Sequence, residues 1–141
     1  MNILLIEDNP GDVELMREAL QGRVEAPELT VARDGLEACD FLAASEHRGA
    51  LPPDLIILDL NMPRMDGREF LELLHEHPLR QRIPIVVLTS SNAARDSERA
   101  LELGSDAYHV KPLDFGGFVR TVDRILDFWN HASARTQTPR T

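Results

Sequence analysis

The hydrophobic positions of this chain fall into short apolar runs that alternate with longer amphipathic stretches. Apolar runs of roughly four to eight residues bounded by turn residues are typical of buried strands. Apolar positions spaced three or four residues apart are typical of helices that pack through one face. The pattern predicts five strands, at 2–7, 28–33, 54–60, 83–91 and 106–110. It predicts a helix after each strand, at 10–20, 35–44, 66–75, 95–103 and 114–130.

This alternation favours the α/β class, with a doubly wound five-stranded parallel sheet covered by helices on both faces. The segment 54–60, DLIILDL, supports the prediction because its apolar residues occupy both faces of the strand. In such sheets, ligands bind beyond the carboxyl ends of the strands, where the strand order reverses. We therefore expect the functional chemistry in the residues that follow the strands.

Length and composition predict one domain over residues 1–130, a polar and frayed tail at 131–141, and no effector domain. The formal net charge of -9 argues against nucleic acid as a partner. Cys39 is the only cysteine, so no intramolecular disulfide can form, which is typical of a reducing compartment. The apolar run at 3–6 is too short to span a membrane. We expect a cytoplasmic protein that does not use a membrane as a partner.

Side chains with complementary chemistry lie at the carboxyl ends of four of the predicted strands. They are two carboxylates at the end of the first strand, one at the end of the third, two hydroxyls at the end of the fourth and the only lysine directly after the fifth, namely Glu7, Asp8, Asp59, Thr89, Ser90 and Lys111. Three carboxylates provide the oxygen ligands that suit Mg²⁺. An ammonium group and a hydroxyl provide hydrogen-bond donors for phosphoryl oxygens, and a carboxylate can accept a phosphoryl group covalently. Each residue alone is more often a cap or turn residue, and their co-occurrence favours the functional interpretation.

The motifs at these positions resemble the receiver domain of response regulators, the chemotaxis-regulator fold. They are ED at 7–8, LDLNMPRMDG at 58–67, LTSS at 88–91 and YHVKP at 108–112, and the resemblance covers about residues 2–130. It implies a flavodoxin-like sheet with strand order 2-1-3-4-5. It also implies a two-component phosphorelay in which a histidine kinase supplies the phosphoryl group, with a histidine phosphotransfer protein as a further candidate partner.

The resemblance also implies roles for single residues around the phosphoryl group. Asp59 matches the phosphoacceptor, and the Mg²⁺ ligands match Glu7, Asp8, Asp59 and the backbone carbonyl of Asn61. The phosphate-binding and switch positions match the Thr89 hydroxyl, the small residue Ser90, the Lys111 ammonium and the aromatic ring of Tyr108. The loop positions match Pro63 and Gly67 as turn residues and Pro112 as the proline that follows a cis peptide bond.

Two features depart from the common family pattern. The first acidic residue is Glu7 rather than aspartate, which lengthens one arm of the expected metal site. The segment between the second helix and the third strand is longer than in the minimal chemotaxis-type domain. Together with the sequence of the last helix, this segment resembles the single-domain regulators that are paired with phytochrome-type histidine kinases.

Without an effector domain, the signal is expected to leave through the surface of the fourth strand, fourth helix, fifth strand and fifth helix. One broad face of the last helix is predicted to be core. It comprises Phe115, Phe118, Val119, Val122, Ile125, Leu126 and Trp129. Phe128 is predicted to lie off this face and to be exposed, which suggests a homodimer or partner surface built from the fifth strand and the last helix.

Two other interpretations use the same residues. A pseudo-receiver would keep the fold as an interaction module without accepting phosphate. A Mg²⁺-dependent phosphatase with an aspartyl nucleophile would need a second aspartate two positions after Asp59, where this chain has Asn61. We therefore do not expect a turnover enzyme.

Overall fold

The structure is a computed structural model that describes residues 1–62, 64–77 and 83–137. Pro63, one of the two predicted turn positions after Asp59, lies outside the described residues. The strands are β1 (Asn2–Ile6), β2 (Glu28–Ala32), β3 (Leu55–Leu58), β4 (Ile85–Thr89) and β5 (Ala107–Val110). The helices are α1 (Pro10–Leu20), α2 (Gly35–His47), α3 (Gly67–His75), α4 (Ala94–Glu102) and α5 (Phe115–Gln137).

The strands form one parallel sheet in the order β2-β1-β3-β4-β5. The predicted α/β fold and its strand order are therefore confirmed. Ile6 pairs with Leu58 of β3, and Thr89 pairs with Val110 of β5. This register brings the residues that follow β1, β3, β4 and β5 to one edge of the sheet.

Alternate residues of the central strands face two separate layers of helices. Leu4 and Ile6 of β1 belong to a buried cluster that includes Phe70 of α3, and Ile3 and Leu5 belong to a second cluster with residues of α1 and α5. Both faces of the strand are therefore buried, which explains why the strands have continuous apolar runs rather than alternating ones.

Gly67 lets the start of α3 approach the end of β3 closely. A Cβ atom at this position would lie 2.4 Å from the carbonyl oxygen of Asp59 and 2.7 Å from the Cα of Leu60. The Gly67 amide also donates to the carbonyl of Leu60. The reciprocal capping box of Asp66 and Glu69 fixes the first turn of α3. A glycine is needed here because backbone atoms cannot move aside for a side chain.

The packing of α5 agrees with the predicted core face except at two phenylalanines. Phe118, Val122 and Ile125 are buried in the second cluster. Phe115 is 46% exposed, contrary to prediction, because it is the first residue of α5, next to the loop that follows β5. Phe128 was predicted to be exposed, but it is half-buried and packs against the same cluster, since it lies one turn after Ile125.

The end of α5 differs from the prediction. The helix continues to Gln137, so residues 131–137 of the predicted tail are helical rather than frayed. This stretch contains no glycine or proline, and its two alanines favour helix. Residues 138–141 of that tail lie outside the described residues. In the described part of the chain, no helix combines the length and apolar content needed to cross a lipid bilayer.

Candidate functional site

Backbone hydrogen bonds continue the pairing of β1 with β2 and of β3 with β1 by one residue, and they fix the two central carboxylates. The Glu7 amide donates to the Ala32 carbonyl at 2.9 Å, and the Asp59 amide donates to the Ile6 carbonyl at 3.0 Å. Glu7 and Asp59 therefore lie directly after the ends of neighbouring strands, where backbone hydrogen bonds hold them. The two residues are 3% and 6% exposed.

Glu7, Asp8 and Asp59 form an acidic cluster at this edge of the sheet. One carboxylate oxygen from each residue lies within 4.8 Å of the others. Glu7 and Asp59 are buried, whereas Asp8 is exposed. Three convergent oxygen donors of this kind suit a hard divalent cation that keeps part of its water shell. The predicted convergence of the three carboxylates is confirmed.

Asn61 lies next to this cluster. Its backbone amide faces the Oδ1 atom of Asp59 at 3.4 Å, a long contact. The contact places the loop after β3 against the Asp59 carboxylate. The role of the Asn61 carbonyl as a metal ligand stays a prediction.

The Lys111 ammonium lies inside the acidic site, although its side chain starts from the far side of β4. It donates to Glu7 Oε1, to Asp12 Oδ2 at 2.8 Å and to Asp59 Oδ2 at 3.3 Å. The Lys111 amide donates to the Thr89 carbonyl at 2.8 Å, which fixes where this side chain begins. The only lysine of the chain thus serves as the positive charge of the site.

Asp12 is a site residue that the sequence analysis missed. In the sequence it is one of several acidic residues within the predicted helix 10–20. The available signal was its place in the first turn of α1, which follows directly on the acidic residues at the end of β1. The contact with Lys111 joins residues 99 positions apart in the chain, which no local pattern reveals.

The electrostatics of the site reflect a balance between burial and pairing. Burial raises the pKa of Glu7 to about 7; the Lys111 ammonium opposes this shift and the Asp59 charge adds to it. Burial would lower the pKa of Lys111, but hydrogen bonds to Asp12 and Glu7 and the charge of Asp59 together raise it. Lys111 is therefore firmly charged, and Glu7 is poised to exchange a proton near neutral pH.

Thr89 and Ser90 differ in their surroundings. Thr89 is fully buried, and its hydroxyl oxygen has no hydrogen-bond partner among the described residues. Ser90, the next residue, is exposed at the edge of the site. Leaving a buried hydroxyl unpaired costs about 1–3 kcal/mol, so Thr89 holds a donor that a phosphoryl oxygen could satisfy.

Hydrogen bonds that the sequence did not reveal connect Tyr108 to the loop after β4 and, through it, to α4. Its ring packs against the first core cluster, and its hydroxyl donates to the Ser91 carbonyl at 2.8 Å. The Ser91 hydroxyl in turn donates to Asp96 of α4, which pairs with Arg68 of α3 at 3.0 Å. Tyr108 is thereby linked to the starts of α3 and α4.

The peptide bond before Pro112 is trans, since the described residues contain no cis peptide bond. The predicted cis bond is therefore wrong for this structure. For an X–Pro bond, the trans form is favoured by about 0.5–1 kcal/mol. Lys111 already reaches its three carboxylate partners with the trans bond, so the site geometry does not require the cis form.

Comparison with known proteins agrees with this arrangement. Residues 3–123 match the family model described as response regulator receiver domain. The chain belongs to this family. Receiver domains are in general regulatory modules rather than turnover enzymes.

Several receiver proteins resemble the chain over most of its length. Response regulator Rcp1 from Synechocystis sp. is 39% identical over 128 residues, which cover 90% of this chain and 87% of Rcp1. The crystal structure of the phosphorylated cyanobacterial phytochrome response regulator RcpA has a TM-score of 0.83 at 38% identity, covering 91% of this chain and 92% of RcpA. The crystal structure of the Mn²⁺-bound form of Rcp1 has a TM-score of 0.81 at 39% identity, and the match covers 91% of this chain and 93% of the Rcp1 chain.

The raised pKa of Glu7 predicts pH-dependent metal binding by this receiver domain. A carboxyl group must lose its proton to act as a ligand. Since the pKa of Glu7 in the metal-free protein is about 7, this carboxyl group is protonated at pH values below 7 and ionised well above it. A metal must therefore displace a proton from Glu7 only in the lower pH range. We expect the Mg²⁺ affinity to rise by up to about tenfold per pH unit below neutrality and to level off above about pH 8.

Titration calorimetry in two buffers of different ionisation enthalpy measures this proton directly. About one proton per metal should be released near pH 6 and almost none near pH 8.5. Identical heats in both buffers near pH 6 would contradict a protonated Glu7.

The unpaired hydroxyl of Thr89 predicts that Thr89→Val stabilises the metal-free protein. The substitution replaces an unsatisfied buried donor with a methyl group, so we expect the free energy of unfolding to rise by about 1 kcal/mol. Urea denaturation measures the change. Thr121→Val is the matched control, because the buried Thr121 hydroxyl donates to the Gly117 carbonyl at 3.1 Å. A loss of stability in Thr89→Val as large as in Thr121→Val would show that the Thr89 hydroxyl is satisfied.

Proposed function

We propose that this receiver domain accepts a phosphoryl group on Asp59 from a histidine kinase, with Mg²⁺ held by Glu7, Asp8, Asp59 and the carbonyl of Asn61. The observation that carries the proposal is the setting of the Asp59 carboxylate. It is 6% exposed, shares an acidic cluster with Glu7 and Asp8, and lies 3.3 Å from the Lys111 ammonium. A buried carboxylate with a cation-binding cluster on one side and an ammonium on the other suits phosphoryl transfer.

The residues divide the chemistry as follows. An Asp59 carboxylate oxygen attacks the phosphorus of a phosphohistidine, a P–O bond forms, and the P–N bond breaks with its electron pair going to the histidine nitrogen. Glu7, Asp8 and Asp59 would hold Mg²⁺, which would supply positive charge to offset that of the transferring phosphoryl group. Lys111 donates to a second phosphoryl oxygen, and the Thr89 hydroxyl donates to a third. Ser90 leaves space for the group to enter.

The resulting acyl phosphate on Asp59 is expected to change the β4, α4, β5 and α5 surface. If the Thr89 hydroxyl turns toward the phosphoryl group, the space beside the Tyr108 ring changes. The Tyr108 hydroxyl is bound to the Ser91 carbonyl, and Ser91 is bound to Asp96 at the start of α4. A shift of the ring would thus change the hydrogen bonds at the start of α4. This fits a two-state switch that is biased by a local change of charge.

The cognate kinase is proposed to be of the phytochrome type. The support comes from the relatives, because RcpA is described as a phytochrome response regulator and resembles this chain over nearly its full length. A histidine phosphotransfer protein would present the same phosphohistidine chemistry to Asp59 and is the second candidate donor or acceptor.

Phosphorylation of Asp59 is tested by mass spectrometry of the intact protein. After incubation with Mg²⁺ and acetyl phosphate or phosphoramidate, the wild-type protein should gain one phosphoryl group. Asp59→Asn should gain none, because an amide is not a nucleophile toward phosphorus. EDTA should also prevent the gain.

An adduct that persists in Asp59→Asn would move the acceptor to another residue. The absence of any adduct in the wild-type protein, combined with absent Mg²⁺ binding, would favour a pseudo-receiver that acts without phosphate.

A homodimer through β5 and the start of α5 is the second part of the proposal. Exposed apolar side chains cluster in sequence around this segment, at Val110, Leu113 and Phe115. Such a group of exposed apolar residues is typical of an interaction surface. Phe128 contributes less than the sequence suggested, because it is half-buried in the core.

Light scattering after gel filtration tests the dimer with and without beryllofluoride. We expect a dimer that Leu113→Asp weakens at least about tenfold in Kd, because a charge would be buried at the interface. Val24→Asp is the matched control, since Val24 is fully exposed in the α1–β2 connection. A monomeric wild-type protein in both states would remove this part of the proposal.

A further inference from the structure

The Lys111 ammonium has two kinds of carboxylate partner. Glu7 and Asp59 belong to the acidic cluster that suits a metal, whereas Asp12 lies outside that cluster. Asp12 holds Lys111 at 2.8 Å, closer than Asp59 at 3.3 Å. Asp12 is therefore the one carboxylate among these three that can keep Lys111 while the others bind a cation.

The first turn of α1 keeps Asp12 in place. The Asp12 amide donates to the Asn9 side-chain oxygen at 3.2 Å, as part of the cap of the helix. The Asn9 amide in turn donates to Glu7 Oε2 at 3.3 Å. The start of α1 is thus tied to the acidic site through Asn9, and Asp12 needs little reorganisation to hold the ammonium.

We propose that Asp12 is a positioning residue that takes over the Lys111 ammonium when Glu7 and Asp59 bind a divalent cation. This inference rests on the proposed function, because it assumes that Glu7, Asp8 and Asp59 hold Mg²⁺. With Asp12 present, Lys111 can leave the two ligand carboxylates and still have an anionic partner beside the phosphoryl position.

The charges at the site explain why this partner matters. Without Asp12, the contacts left to Lys111 are Glu7 and Asp59, so the ammonium and the cation compete for the same oxygens. Removing the Asp12 charge also makes the local potential less negative. Both effects weaken cation binding, and only the first depends on the contact with Lys111.

A neighbouring carboxylate separates the two effects. Glu14 lies two residues further along α1 and is exposed. Glu14→Gln removes the same charge as Asp12→Asn from the same helix without touching Lys111. Asp12→Glu keeps the charge, with a longer arm, and should restore much of the wild-type behaviour.

The first measurement follows Lys111 itself in the metal-free protein. Because the chain has one lysine, labelling with [¹³Cε]lysine gives a single side-chain NMR signal. Asp12→Asn should shift this signal, whereas Glu14→Gln should leave it at the wild-type position. An unshifted signal in Asp12→Asn would overturn the contact on which the proposal stands.

The second measurement is the Mg²⁺ affinity by titration calorimetry. We expect Asp12→Asn to weaken binding by roughly three- to tenfold and Glu14→Gln by less than about twofold, since a partly solvated charge acts mainly at short range. Asp12→Glu should lie between Asp12→Asn and the wild-type protein. Equal losses of Mg²⁺ affinity in Asp12→Asn and Glu14→Gln would overturn the positioning role of Asp12 and would indicate a general effect of charge.

Mg²⁺ binding and phosphorylation of the wild-type protein show whether this inference or the proposed function has failed. If it binds Mg²⁺ and gains a phosphoryl group while Asp12→Asn binds Mg²⁺ equally well, only the role of Asp12 fails. If the wild-type protein neither binds Mg²⁺ nor gains a phosphoryl group, the proposed function fails and this inference fails with it.

Discussion

Glu7 and Asp59 are buried side by side at the edge of the sheet, and the Lys111 ammonium is the contact that makes this arrangement tolerable. Two buried carboxylates side by side repel each other, and burial favours the protonated form of Glu7. Lys111 offsets these effects only in part, because burial, with the Asp59 charge adding to it, still raises the pKa of Glu7 to about 7. A divalent cation can supply the further positive charge that would stabilise the ionised forms of these carboxylates.

The apolar strands explain why the charged groups are concentrated at one place in the fold. Because β1, β3 and β4 are buried on both faces, their side chains leave no room for polar groups until the strands end. The polar residues are therefore concentrated at one edge, where the Thr89 hydroxyl has no partner among the described residues and Tyr108 is held by the Ser91 carbonyl. Stability comes from the apolar layers, and the edge contains the groups whose bonding can change.

Much of the architecture was predictable because it depends on local periodicity. Continuous apolar runs such as 54–60 specify buried strands, and the alternation with helices specifies a parallel sheet. The convergence of Glu7, Asp8 and Asp59 followed from that topology together with the strand order implied by the family resemblance, since neighbouring parallel strands end at the same edge. The ends of elements were less predictable. Periodicity placed Phe115 in the core and Phe128 outside it, but the helix begins where the sheet has ended and its packed face is broader than the predicted stripe.

The sequence by itself determined the fold class, the strand order implied by the family resemblance, and the residues that line the site except Asp12. These depend on which face each residue occupies and on which strand it follows. Only the tertiary structure decided that Lys111 pairs with Asp12 across 99 positions, that Thr89 has no partner among the described residues, and that the bond before Pro112 is trans. The physical reason is that hydrogen bonds form over about 3 Å, a distance that depends on how separate helices and strands settle against one another. Hydrophobic periodicity records the direction in which a side chain points, but not the atom that it meets.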